Sequence, residues 1–269
     1  MKKILSAILA GAMLCTSAMM FSACGNKTES TADSKTESSA DSKTESSAAE
    51  AKELHMATNA AFEPYEYKEG GEVVGIDAEI AKAVCDKLGC KLVIDDMDFD
   101  AIITAVTSGK ADFGMAGMTV TDERKQSVDF TDSYTNAVQV IIVNEDDGKV
   151  AGKADLEGKT IGVQLGTTGD LYVSDDVKDA QVERFNKGAD AVLALTQGKV
   201  DAVVIDNQPA KAFVAQNPGT KILEEDFANE EYAICLAKGS ELTEKFNTAL
   251  KELKDDGTID TVIKKYIKD

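Results

Sequence analysis

The stretch AVTSGKADF, Ala105–Phe113, returns as ALTQGKVDA at Ala194–Ala202. Each copy reads as the end of a helix, stopped by a Gly-Lys pair, that feeds directly into an apolar strand. One helix-to-strand unit used twice, about ninety residues apart, predicts two lobes built on the same plan.

Outward from the first copy the same alternation continues. Leu54–Thr58 (LHMAT) reads as a strand, and the next residues, NAAFEPYEY, read as a shaped loop carrying Phe62, Tyr65 and Tyr67 around Pro64. From Gly75, a helix is expected with Ile76, Ile80, Val84 and Leu88 on one stripe and Gly89 as its stop. Strand KLVID, helix DAIITAVTSG and strand ADFGM follow, giving a β-α-β-α-β order. Around the second copy lie strand TIGV (Thr160–Val163), the glycine-rich turn QLGTTG, strand QVERF, helix ADAVLALTQG and strand DAVVID.

Two apolar runs, Ala137–Val143 and Tyr232–Ala237, bracket the second set and are natural crossings between lobes. Helices near Glu241–Lys254 and Thr258–Ile267 then return to the first lobe. The expected fold is α/β: two doubly wound lobes joined by a two-strand hinge, with a ligand cleft between them. Lobe 1 would comprise 53–137 plus 236–269, and lobe 2, inserted, 138–235.

The first copy runs straight into Gly114–Arg124, GMAGMTVTDER. Here a small-residue strand end turns toward a helix start that carries an arginine. The amino end of a helix holds partial positive charge and favours acids, so Asp122 and Glu123 fit and Arg124 does not. A cation beside a positive helix end and a bare Gly117 suggests a site for an incoming anion, with a carboxylate the working choice. A solvated helix arginine is the plain alternative. Asp206, which ends strand DAVVID, would fall on the opposite side of the cleft, or could simply cap the helix that starts at Asn207.

Composition narrows the class. The chain has 269 residues, 43% apolar and 29% charged, enough for one large or two medium domains. Its formal charge is −19, two units more negative once a leader with Lys2 and Lys3 is removed, which disfavours nucleic acid and anionic membrane surfaces. With one histidine, His55, three prolines and no tryptophan, a His-based triad or His-rich metal site has almost no material. No metal, cofactor or catalytic residue is expected, and a monomer is.

Residues 1–23 read as a secretory signal, two lysines followed by an apolar run that is broken by small residues. The sequence FSAC at Phe21–Cys24 is similar to a bacterial lipobox, with phenylalanine where leucine is usual, so Cys24 is expected to be lipidated. Residues 24–52 then form a polar tether in which ADSKTESS (Ala32–Ser39) repeats unchanged at Ala40–Ser47. A flexible coil of about 27 residues reaches about 30 Å on average. The folded part is thus expected at the outer face of the bacterial cytoplasmic membrane. Of the remaining cysteines, Cys235 lies in the apolar run YAICLA and reads as a core thiol. Cys85 and Cys90 flank the predicted helix end, where an extracytoplasmic disulfide is one reading and free thiols the other.

Six phrases in order, AFEPYEY, VVGIDAEIAKAV, DFDAIITAVTSGKADF, AGMTVTDERKQSVDFTDSY, GVQLGTTG and GKVDAVVIDNQPA, span Ala61–Ala210. Together they resemble the solute-binding proteins of amino-acid ABC importers, the polar amino-acid group with a type II periplasmic fold, over about residues 53–269. The resemblance implies that Arg124 binds the ligand carboxylate and Asp206 its ammonium. It implies further that Gly117, Thr119 and Thr168 complete these two ends, and that Phe62 and Phe99 flank the side chain. Asn59 and Gln164 fall where specificity varies. The chemistry agrees, because a guanidinium grips a carboxylate bidentately as lysine cannot. The neutrality of Asn59, where binders of basic amino acids often carry an acid, points to a polar, uncharged L-amino acid. An ABC permease is the implied partner. Two alternatives remain: a dehydratase-like cleft enzyme, for which Glu63 and Asp170 are the spare titratable groups, and a component that presents its ligand to a separate sensor.

Overall fold

The computed structural model describes residues 51–268; the leader, Cys24 and most of the tether lie outside the described residues. The first sheet grows from β1 (Glu53–Thr58). A small antiparallel sheet follows, β2 (Ala61–Phe62), β3 (Glu66–Glu69) and β4 (Glu72–Val74). The segment expected to be a loop is therefore a three-stranded ribbon, which holds Phe62 opposite Glu66. Helix α1 (Ile76–Leu88) buries Ile76, Ile80 and Val84 as its stripe predicts, with Gly89 in the left-handed conformation at its end. After β5 (Lys91–Asp96), a 3-10 turn at Phe99–Ala101 leads into α2 (Ile102–Thr107) and the two-residue β6 (Phe113–Gly114). Short α3 (Arg124–Ser127) and β7 (Val128–Phe130) complete this half.

The chain then crosses on β8 (Thr135–Asn144) into the second sheet: β9 (Thr160–Gln164), α4 (Thr168–Asp176), β10 (Gln181–Phe185), α5 (Gly188–Thr196), β11 (Ala202–Asp206), α6 (Asn207–Gln216) and β12 (Thr220–Ile222). It returns on β13 (Ala228–Tyr232) to β14 (Cys235–Ala237), α7 (Leu242–Asp255) and α8 (Thr258–Tyr266).

Strand order is β5-β1-β6-β14-β7 in the first sheet and β10-β9-β11-β8-β12 in the second. In both, the first strand of the unit lies between its second and third and runs parallel to each. The crossover from one flank to the other opens a crevice at the carboxyl ends of β1 and β9, the general ligand position of open α/β sheets. The repeated phrase explains itself here, since its two copies are α2 with β6 and α5 with β11, the same step of the same winding.

Period-2 burial builds the layers. On β11, Val203 and Ile205 pack with Ala191, Leu195 and Phe213 of α5 and α6, while Ala202 and Val204 pack on the other face with Val173 of α4. On β1, Met56 faces the α1, α7 and α8 side, and Ala57 faces Ile102 and Val106 of α2.

One further expectation is corrected, and two points left open are resolved. The return crossing is not one strand at Tyr232–Ala237: β13 pairs with β8, register Glu231↔Asn136 and Tyr232↔Thr135, and β14 belongs to the first sheet. The apolar run that suggested a single strand is divided at Ala233 and Ile234, where the chain leaves one sheet for the other. Helix α4 starts within the end of the expected turn QLGTTG and runs through LYVSDD, for which no element was expected; it forms on Thr167, whose side chain caps the Asp170 N–H at 3.4 Å, and on Val173. Cys85 and Cys90 are free thiols. Cys85 is buried on α1 and Cys90 turns back to its carbonyl, Sγ to O 3.5 Å, instead of to its sulfur. Among the described residues no helix is long and apolar enough to cross a membrane.

Candidate ligand-binding cleft

A small cavity lies between the two sheets. All nine residues expected at the site line it: Asn59, Phe62, Phe99, Gly117, Thr119 and Arg124 from the first half, Gln164, Thr168 and Asp206 from the second. Glu66, Ala116 and Thr167 line it as well and were not anticipated.

Arg124 starts α3 and is 6% exposed. Its Nη1 donates to the Thr119 carbonyl at 2.8 Å and its Nη2 to the Gly166 carbonyl at 3.0 Å, so it touches both halves of the chain. Its guanidinium carbon sits 5.4 Å from the Phe99 ring centre. Phe99 therefore supports the arginine from below in addition to lining the cavity. Two of the five guanidinium donors are used by these carbonyls, which leaves donors for an anion. Burial pulls the Arg124 pKa below its ordinary value, opposed chiefly by the charge of Glu230.

Gly117 occupies φ +52°, and a Cβ there would lie 3.0 Å from a Phe62 ring carbon and 3.2 Å from one of Tyr232. Only glycine keeps both this turn and the aromatic wall. Its N–H donates to Asp77 of α1 at 2.8 Å. Thr119 donates to Glu230 at 3.0 Å, and its hydroxyl lies 3.5 Å from that of Thr168 at the start of α4. The loop itself is sewn to β13, with Ala233 N–H to the Met118 carbonyl at 3.0 Å and Val120 N–H to the Glu231 carbonyl at 3.1 Å.

Asp206 ends β11. It stands at the first cap position of α6, yet its side chain makes no capping bond; it accepts the Tyr232 hydroxyl instead. Burial pushes its pKa up to about 8, helped by the nearby charge of Glu230, while bonds from Tyr232 and Gln139 act in the other direction. A fixed cation beside it would restore the charged form. Asn59 and Gln164 meet across the cleft, Gln164 Nε2 to Asn59 Oδ1 3.0 Å, and Asn59 is pinned by its bond to the Met97 carbonyl at 2.7 Å.

The missed acids share one trait. Glu66, Asp77 and Glu230 are buried carboxylates, whereas charge in a sequence usually marks a solvated face. The one available signal was at Glu66, an acid flanked by Tyr65 and Tyr67. Gln139 of β8 was missed too; its amide reaches Glu230 at 3.0 Å and Thr168 at 3.3 Å.

The arrangement offers a guanidinium with free donors, a buried carboxylate from the facing half, and a narrow aromatic-walled space between them. It matches a small zwitterion. Comparison with known proteins agrees. Residues 54–269 match the family of bacterial extracellular solute-binding proteins, family 3. The chain is 38% identical to the arginine-binding extracellular protein ArtP of Bacillus subtilis (strain 168) over 220 residues, 80% of this chain and 86% of the relative. Among solved structures it resembles an ancestral arginine-binding protein bound to arginine, with TM-score 0.75 and 45% identity over 80% of this chain and 98% of that one. The same values of score and identity hold for an ancestral arginine-binding protein bound to glutamine, over 81% of this chain and 98% of that one. The chain belongs to family 3 of the bacterial extracellular solute-binding proteins.

Proposed function

We propose that this protein is a lipid-anchored, extracytoplasmic receptor that captures a cationic L-amino acid, arginine best of all, and delivers it to an ABC permease. Arg124 takes the α-carboxylate with Thr119 and Thr168, and Asp206 takes the α-ammonium. The inserted lobe, residues 138–235, closes on the ligand about β8 and β13. The lipobox-like FSAC at Cys24 and the polar tether support anchoring; Cys24→Ser should release the protein from the membrane fraction.

The observation that carries the choice of ligand is Glu66. After Arg124 and Asp206 are assigned to the two ends of a zwitterion, Glu66 remains in the cavity wall with neither oxygen hydrogen-bonded to a donor. A guanidinium supplies the missing donors and charge. Asn59 alone favoured an uncharged side chain; Glu66, the first residue of β3, reverses that preference. The relatives named as arginine-binding proteins support the same reading.

A thermal-shift panel of the twenty amino acids and cystine tests the proposal. Arginine should give the largest stabilisation, about 2.7 kcal/mol at a hundred times its dissociation constant. A panel in which no amino acid raises the melting temperature, or only uncharged ones do, would contradict it.

A further inference from the structure

Glu66 has a neighbour that makes its position chemically unusual. Asp77 on α1 is 0% exposed, and both its oxygens are occupied: Oδ2 accepts the Gly117 N–H at 2.8 Å and Oδ1 accepts the Tyr134 hydroxyl at 2.8 Å. Glu66 on β3 is also 0% exposed and has no donor at either oxygen, and the Asp77 N–H bonds the carbonyl of Tyr65, the residue before Glu66, at 2.9 Å. Two buried carboxylates held near one another repel when both are ionised, and a single proton removes the repulsion. Asp77 already receives two donors, which favour its charged form. The proton therefore sits on Glu66.

The surroundings act in the same direction. Besides Asp77 from α1, the ionisable groups bearing on Glu66 are Asp206 from the end of β11, Tyr65 from the turn before β3 and Tyr134 from the segment before β8. All are acidic. Arg124, the cation that lines the same cavity, has its guanidinium directed to Thr119 and Gly166. Burial, followed by the Asp77 charge, holds the Glu66 carboxyl well above the ordinary range.

We infer that Glu66, buried without a donor in the cavity wall near the ionised Asp77, carries a proton, and that this proton determines whether the cleft takes a cationic or a neutral amino-acid side chain. The inference rests on the amino-acid-binding reading given above. With a neutral side chain the proton stays, and the carbonyl oxygen of Glu66 accepts from the ligand's N–H. With a guanidinium, the Glu66 O–H bond breaks, its electron pair remains on the carboxylate, and the proton passes to the buffer. One positive charge enters and one leaves, so the buried net charge is unchanged and the second carboxylate is ionised only when a cation faces it.

L-arginine and L-citrulline isolate the effect, because they have nearly the same shape and differ in side-chain charge. Calorimetric titration of the protein with each, in two buffers of different ionisation enthalpy between pH 5.5 and 8, counts the protons exchanged. Any proton lost from Asp206 on meeting the α-ammonium is common to both ligands and cancels. Arginine should release about one proton more than citrulline, and the arginine-to-citrulline affinity ratio should rise toward about tenfold per pH unit. In Glu66→Gln the excess proton should vanish and arginine should weaken more than citrulline. Equal proton counts for the two ligands in the wild-type protein would overturn the inference, as would rejection of citrulline at every pH. If neither amino acid binds, the reading of the cleft as an amino-acid site fails, and this inference with it.

Discussion

The two lobes share a winding order and a recurring phrase, yet they contribute unequally to the cleft. Eight of the twelve lining residues come from the first lobe and four from the second. The first lobe has elaborated its strand ends with the β2–β4 ribbon and the Gly114–Arg124 loop, and this loop is hydrogen-bonded to β13. The second lobe supplies plain parts: the end of β9, the amino end of α4 and the end of β11. In the proposed function, a common scaffold thus divides the labour: recognition would be held mainly by the first lobe and closure completed by the second.

If that division is right, substitutions should rank by lobe and by charge. Arg124→Ala should have the largest effect, about 2–5 kcal/mol or roughly 30- to 5,000-fold in arginine affinity by calorimetry, because it strips the partner from a buried anion. Asp206→Asn should cost less, about 1.5–3 kcal/mol, the range of a hydrogen bond to a charged group. The same variant should unfold at a higher temperature than wild type at pH 8 without ligand. The sign follows from the raised pKa: the folded protein holds a proton on Asp206 that the unfolded chain loses near pH 4, so this residue's stability share falls as pH rises from about 4 through about 8. Asn carries no such dependence.

Ligand affinity should run the opposite way. For L-citrulline, with no side-chain charge, binding should weaken as pH drops below about 8, approaching tenfold per unit, since Asp206 must be ionised to meet the ammonium. Asp206→Asn should flatten that profile; a profile unchanged by the substitution would break the assignment. Thr168→Val, at the amino end of α4, should have the smallest effect, about 0.5–1.5 kcal/mol of affinity, and should act through closure while leaving first-lobe stability unaltered.

The sequence made the doubly wound order legible because helix stripes, glycine stops and the phrase at Ala105 and Ala194 are local signals. Arg124 was legible as a charge that broke a local rule, and the family resemblance supplied its partner. What was hidden depends on tertiary context. Helix α4 has no stripe to announce it and forms because Val173 is covered by the second sheet. Strand β13, ANEEY, looks like a solvated acidic loop, yet alternate residues Glu230 and Tyr232 turn inward. Glu66 and Asp77 are eleven positions apart, and nothing local says that a ribbon and a helix will bury both in one region of the core. Charge is visible in a sequence; which charges must face one another in the dark of a core is not.

The central claim is that an amino acid is held as a zwitterion, its carboxylate by Arg124 in one lobe and its ammonium by Asp206 in the other. Titrating the wild-type and Arg124→Ala proteins with L-arginine and with agmatine, which is arginine without its carboxylate, tests this most directly. Agmatine should bind the wild type weaker than L-arginine by at least about tenfold, and the difference should disappear in Arg124→Ala. Agmatine binding as tightly as L-arginine, or a difference that survives the substitution, would contradict the account.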